Sequence, residues 1–105
     1  MEQPNLSYIL DLSAGDIAFE RKLIDIIKDE FPDEQEVYFK NMVEKKYKLA
    51  ANNVHKLKHK ISIFGLQKSY ETAVAFEHNL LDGSIELKDE FESILTTITN
   101  YLQQL

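Results

Sequence analysis

Hydrophobic residues recur at helical spacing along most of this chain. The clearest stripe advances in steps of 4, 3, 4 and 3 residues and consists of Ala50, Val54, Leu57, Ile61 and Phe64. Such steps return to one side of an α-helix, so the pattern predicts a helix over residues 50–64 with one buried face. Gly65 follows directly and suits the end of a helix, because glycine tolerates positive φ.

Similar patterns predict the other elements of an all-α protein. We expect a short helix or docking segment over 5–12 and long helices over 16–30, 33–45, 66–81 and 87–105. Phe31-Pro32 should end the first long helix, since a residue before proline disfavours the α conformation. Residues 46–49 are the expected turn before the histidine-bearing helix. Short connections favour an antiparallel up-down four-helix bundle with an additional N-terminal helix or segment, as a single domain over 1–105.

The same periodicities predict which side chains of these helices face the core. In the helices over 16–45, the expected core residues are Phe19, Leu23, Ile26, Ile27, Phe39, Met42, Val43 and, just beyond, Tyr47. In the last two helices they are Leu66, Tyr70, Ala73, Val74, Leu80, Leu87, Phe91, Ile94, Ile98, Tyr101 and Leu105. Ser13-Ala14-Gly15-Asp16 supplies polar and flexible residues suited to a helix start.

The composition excludes several classes of protein. The chain has no cysteine, so it has neither disulfides nor thiolate metal sites. It has no apolar run of membrane-spanning length and no basic-then-apolar N-terminus, so we expect a soluble, cytoplasmic protein without a membrane partner.

The net charge of −6 conceals an uneven distribution. Residues 45–70 contain seven lysines and no acid, whereas all eighteen acidic residues lie elsewhere. An acidic body argues against general nucleic-acid binding. A basic patch around a histidine instead favours a phosphate, or a partner with an acidic cleft.

His55 is the candidate for chemistry. It follows Val54, which places it at the edge of the apolar stripe, and Lys58 and His59 lie beside it one turn later, on the face predicted to be exposed. Glu77 interrupts the apolar spacing of the next helix, and a carboxylate at a core edge needs a partner. If Glu77 accepts a hydrogen bond from Nδ1–H of His55, Nε2 is free to act as a nucleophile toward a phosphoryl group.

These residues resemble a known family. His55-Lys56-Leu57-Lys58 followed by Gly65-Leu66 is similar to the phosphoacceptor helix of histidine phosphotransfer (HPt) domains. Gly15-Asp16-Ile17-Ala18-Phe19 is similar to the entry to their first long helix, and Phe76-Glu77 is similar to their Leu-Glu pair. The order of these motifs extends the resemblance over most of the chain.

The resemblance implies a phosphocarrier without an independent catalytic cycle. His55 would accept a phosphoryl group from a receiver-domain aspartate and pass it to another, Lys58 would neutralise the phosphoryl oxygens, and Glu77 would orient the imidazole. The implied partners are response-regulator receiver domains, with a hybrid sensor histidine kinase as a further candidate. No cofactor would be bound here, since the receiver supplies Mg²⁺.

The resemblance also implies a docking surface formed by Lys56, His59 and Ser62, and a structural role for Gly65. His59 departs from the family, which usually has a small residue four positions after the histidine, so it bears on the choice of partner. We expect a monomer, since one histidine-bearing bundle needs no second copy to complete its site.

Two alternatives from other classes remain open. The first is an adaptor, a degenerate HPt domain that docks receivers without carrying phosphate. The second is a zinc site formed by His55, His59 and Glu77, which the surrounding lysines disfavour. A kinase is not indicated, because the sequence has no glycine-rich nucleotide loop.

Overall fold

The computed structural model describes residues 2–105, which form five α-helices and no strand. The helices are α1 (Ser7–Ser13), α2 (Ile17–Val43), α3 (Tyr47–Ile63), α4 (Gln67–Leu81) and α5 (Lys88–Gln103). The expectation of an all-α fold is therefore confirmed.

Helix α2 is one continuous helix of 27 residues that contains Pro32, so the predicted break at Phe31-Pro32 is wrong. Phe31 and Tyr38 are both buried and lie seven residues apart on one face, on either side of the proline. Burying each large side chain stabilises the fold by about 1.5–3 kcal/mol. Together they offset the roughly 3 kcal/mol that a proline costs inside a helix.

This continuous helix also changes which residues of α2 face the core. The buried side chains are Ile24, Ile27, Phe31, Tyr38 and Met42. Four residues predicted to be in the core are exposed instead: Phe19, Ile26, Phe39 and Val43. The predictions were wrong because the two halves of α2 were given separate helical phases, whereas burial of Phe31 and Tyr38 fixes one phase for both.

The apolar stripe of α3 is confirmed at every position. Ala50, Val54, Leu57, Ile61 and Phe64 are all buried. In α4 and α5 the periodicity identified most of the core and missed three buried residues, namely Phe76, Leu95 and Leu102. The remaining predicted core residues of these helices are partly buried against the core or lie in intermediate positions.

The helix ends match the sequence signals at two places and differ at a third. Asp16 caps α2, where its Oδ1 accepts a hydrogen bond of 3.0 Å from the amide of Phe19. Gly65 follows α3 with φ +74°. The turn before α3 comes earlier than the predicted 46–49, because Lys45 adopts φ +60° and α3 already begins at Tyr47.

The packing order places α3 between two neighbours. It contacts α2 on one side and α4 on the other, while α5 contacts both α4 and α2, and α1 packs on α2. The remaining face of α3 is open to solvent and includes His55, Lys56 and His59. Within residues 2–105, none of the helices combines the length and apolar character needed to cross a membrane.

Candidate functional site

His55 stands on the rigid middle of α3. The neighbouring Val54 and Leu57 are fully buried, so the backbone that carries the histidine is anchored in the core. The His55 side chain itself is 54% exposed. The ring is thus held at its base and open to molecules in solution.

Glu77 on α4 contacts the inner nitrogen of this ring. Nδ1 of His55 lies 3.3 Å from both Oε1 and Oε2 of Glu77. A carboxylate in this position accepts from Nδ1–H, which assigns the proton to Nδ1 and leaves the lone pair of a neutral ring on Nε2. The pairing expected from the sequence is therefore present in the geometry.

Lys58 also binds Glu77, and its side chain is less exposed than the sequence predicted. Its Nζ lies 3.1 Å from Oε1 of Glu77 and 5.8 Å from the ring centroid of Tyr70. Only 12% of the Lys58 side chain is exposed, so it does not lie on the open face of α3 as predicted. The reason is that α4 packs against this edge of α3 and covers the lysine stem.

His59 lies on the exposed side of the site. Its ring meets that of His55 edge to face, with centroids 5.1 Å apart and planes at 89°. One turn separates the two residues along α3. The two imidazoles thus form a pair at the solvent-facing edge, while Glu77 and Lys58 form a partly buried ion pair beneath it.

Of the other residues singled out from the sequence, Lys56 and Ser62 lie on the same helix as His55, whereas Gly65 lies beyond its end. Lys56 and Ser62 are exposed on α3. Gly65 is ten residues from His55, roughly 15 Å along the helix axis, and it belongs to the end of the helix instead of the site. An added Cβ at Gly65 would lie 2.7 Å from Nδ2 of Asn5, so the position is crowded as well as left-handed.

Sequence reasoning missed the contacts that fix α3 against α2. Nζ of Lys60 lies 3.0 Å from carboxylate oxygens of both Glu30 and Glu34. Burial lowers the pKa of Lys60, but the hydrogen bonds and charges of the two carboxylates outweigh it, and the net pKa is raised. Asn41 donates to Asn53 at 2.6 Å in the same interface. The i, i+4 spacing of Glu30 and Glu34 was the available signal.

Chemically, the site is a half-exposed imidazole with a carboxylate at Nδ1 that can stabilise positive charge on the ring. Within residues 2–105, no three His, Cys, Asp or Glu side chains are grouped so as to hold a metal ion. A half-exposed imidazole whose Nδ1 is hydrogen-bonded suits attack through its other nitrogen on an electrophile that a second molecule presents.

Comparisons with known proteins identify no relative of this chain. It matches no protein-family model, no curated protein and no solved structure.

Proposed function

We propose that this chain is a histidine-containing phosphotransfer domain of a two-component phosphorelay, with His55 as the phosphorylated residue. The observation that carries the proposal is the contact of Nδ1 with both oxygens of Glu77 on a ring that is 54% exposed. Nδ1 is hydrogen-bonded, which leaves the lone pair of the neutral ring on Nε2, and the side chain is half exposed. A phosphocarrier needs this combination, because it must accept and release the same group from the same atom.

The proposed step is an in-line displacement at phosphorus. The lone pair of His55 Nε2 forms the new N–P bond while the P–O bond to the donor aspartate breaks, and the electron pair leaves with that carboxylate. The ring keeps its proton on Nδ1 and becomes positively charged. Glu77 stabilises this charge as it develops, which is how fixed electrostatic groups favour a transition state. Transfer to the next aspartate is the same step reversed.

The charge distribution supports a receiver as partner. The lysine-rich segment 45–70 spans the whole of α3, within an otherwise acidic chain. A receiver presents its aspartate and Mg²⁺ in an acidic cleft, and complementary charges speed association and fix orientation. Lys56, His59 and Ser62 are the exposed α3 residues placed to contact such a cleft, and Lys58 adds positive charge while it holds Glu77.

The arrangement of the helices is part of the same proposal. Helices α2 to α5 form an antiparallel up-down four-helix bundle, with α1 added at the side. The contacts of α3 with α2 and α4, and of α5 with α4 and α2, support it because they close a ring of four helices. The domain acts as a cytoplasmic monomer and binds no cofactor of its own, since Mg²⁺ belongs to the receiver.

The test is phosphoryl transfer from a phosphorylated receiver domain to wild type, His55→Gln and His78→Gln. The three proteins should have the same helical circular dichroism, because both histidines are exposed. Wild type and His78→Gln should gain an acid-labile, alkali-stable label, whereas His55→Gln should gain none. His78 is the matched control, since it is an exposed histidine on α4 directly after Glu77.

Two results would contradict the proposal. Label that persists in His55→Gln would place the acceptor elsewhere. Absence of label on wild type across the receivers of the source organism, with binding to one of them, would favour an adaptor that docks receivers without carrying phosphate.

A further inference from the structure

A second imidazole stands beside the exposed edge of His55. The His59 ring contacts the His55 ring edge to face at 5.1 Å between centroids. His59 is exposed, so its side chain can change rotamer on the picosecond-to-nanosecond scale. With ring centroids 5.1 Å apart, a change of the His59 rotamer can bring one of its ring nitrogens toward a group attached to the His55 ring.

Lys58 is held in a different position. Its ammonium is bound to Glu77, the residue that occupies the Nδ1 side of His55, and its side chain is largely buried. A phosphoryl group on Nε2 would extend away from Nδ1 and from Glu77. To reach that group, Lys58 would have to leave a carboxylate that is only 21% exposed, and Glu77 would then lose one of its two partners.

We infer that His59 is the side chain that binds the phosphoryl group carried by His55, by donating a hydrogen bond from a ring nitrogen to a phosphoryl oxygen. The inference rests on the proposed function, because it requires a phosphoryl group on Nε2. Such a group carries close to two negative charges at neutral pH. A charge-assisted hydrogen bond from an imidazolium is about twice as strong as a neutral one.

The bond is charge-assisted only while the His59 ring is protonated, and lower pH favours the protonated form of an imidazole. The titratable group that contacts His59 is the His55 ring, and that ring contacts Glu77 from α4, which in turn binds Lys58. Glu77 and Lys58 are present in wild type and in every variant of His59. Differences in the lifetime of phospho-His55 between these proteins therefore come from residue 59.

The experiment uses phosphoramidate as a receiver-independent donor and the full chain as wild type, His59→Ala, His59→Lys and His78→Ala. After the donor is removed, ³¹P NMR follows the lifetime of phospho-His55 at pH 6 and pH 8. We expect a lifetime at pH 6 that is roughly two- to fivefold longer in wild type than in His59→Ala, the range of an exposed ion pair. The ratio should fall toward one at pH 8. His59→Lys should keep the longer lifetime at both values, and His78→Ala should match wild type.

A second readout follows His59 directly. Its ring resonances in wild type should titrate at higher pH after phosphorylation of His55, while those of His78 stay unchanged. Equal lifetimes in wild type and His59→Ala at pH 6, or an unmoved His59 titration, would overturn the role of His59 and leave the phosphocarrier proposal intact. Failure of both phosphoramidate and phosphorylated receivers to modify His55 would overturn both.

Discussion

Nδ1 of His55 on α3 lies 3.3 Å from both carboxylate oxygens of Glu77 on α4, 22 residues later in the chain. The same carboxylate accepts from Lys58 at 3.1 Å. Glu77 is thus fixed by a lysine on one side while it fixes the histidine on the other. This arrangement ties the orientation of the ring to the packing of two helices.

Removal of the Glu77 carboxylate should impair transfer more than folding. For Glu77→Ala we expect phosphoryl transfer from a receiver to slow about tenfold, equivalent to about 1.4 kcal/mol in the barrier. Loss of the contact with Lys58 should lower the free energy of unfolding by only about 1 kcal/mol, because the flexible lysine stem can carry the freed ammonium out to water. Glu77→Gln is the control for geometry, since an amide oxygen still accepts from Nδ1–H. Its transfer rate should lie between those of wild type and Glu77→Ala. An unchanged transfer rate in Glu77→Ala would show that the carboxylate does not orient His55.

Pro32→Ala should stabilise the protein. Pro32 is exposed in the interior of α2 and lacks the N–H that would bond to the carbonyl of Lys28. Alanine restores that donor, and we expect a gain of about 1–3 kcal/mol in the free energy of unfolding, measured by urea denaturation. A loss of stability would mean that the proline holds a bend on which the burial of Phe31 and Tyr38 depends.

Gly65→Ala should cost more than Gly83→Ala. Both glycines have positive φ, +74° and +81°, so both substitutions carry the left-handed penalty of about 1–2 kcal/mol. Only at Gly65 would the new Cβ lie 2.7 Å from the side chain of Asn5, whereas at Gly83 it meets nothing within 4 Å. The difference between the two variants in chemical denaturation therefore measures the crowding against the N-terminal segment. Equal losses would show that Asn5 moves aside at no cost.

Tyr38 should make the fold sensitive to alkali. Its hydroxyl donates to Oε2 of Glu92 at 3.0 Å from a fully buried ring. Burial raises the pKa of Tyr38, and the charge and hydrogen bond of Glu92 raise it further. The unfolded chain loses this proton near pH 10 while the folded chain keeps it. The contribution of Tyr38 to the free energy of unfolding is therefore complete below about pH 10. Above that pH it falls by up to about 1.4 kcal/mol per pH unit.

The measurement is the free energy of unfolding of wild type and Tyr38→Phe between pH 8 and pH 11.5. Tyr38→Phe should be less stable by about 1 kcal/mol at pH 8, because it loses one hydrogen bond. It should then lose less stability than wild type above pH 10. Tyr8→Phe is the control, since Tyr8 is exposed and should leave the alkaline slope unchanged. Parallel curves for wild type and Tyr38→Phe would contradict this assignment.

The parts of the structure that follow from local pattern were predictable from the sequence. The stripe of α3, the Asp16 cap and the Gly65 terminus each depend on residues within a few positions of one another. Pro32 was misjudged because the local cost of proline is visible in the sequence, whereas the burial of Phe31 and Tyr38 that offsets it depends on other helices. The exposure of Lys58 was misjudged for a similar reason, since periodicity gives its angle on α3 but not which side α4 covers.

The position of the phosphoryl group on the ring tests the proposed roles of His55 and Glu77. After transfer from a phosphorylated receiver, a long-range ¹H–¹⁵N spectrum of wild type separates Nδ1 from Nε2 in each histidine. The contact between His55 and Glu77 predicts phosphorus on Nε2 of His55, with the proton retained on Nδ1. Phosphorus on Nδ1 of His55, or on another residue, would contradict the assignment of Glu77 as the partner of a phosphocarrier histidine.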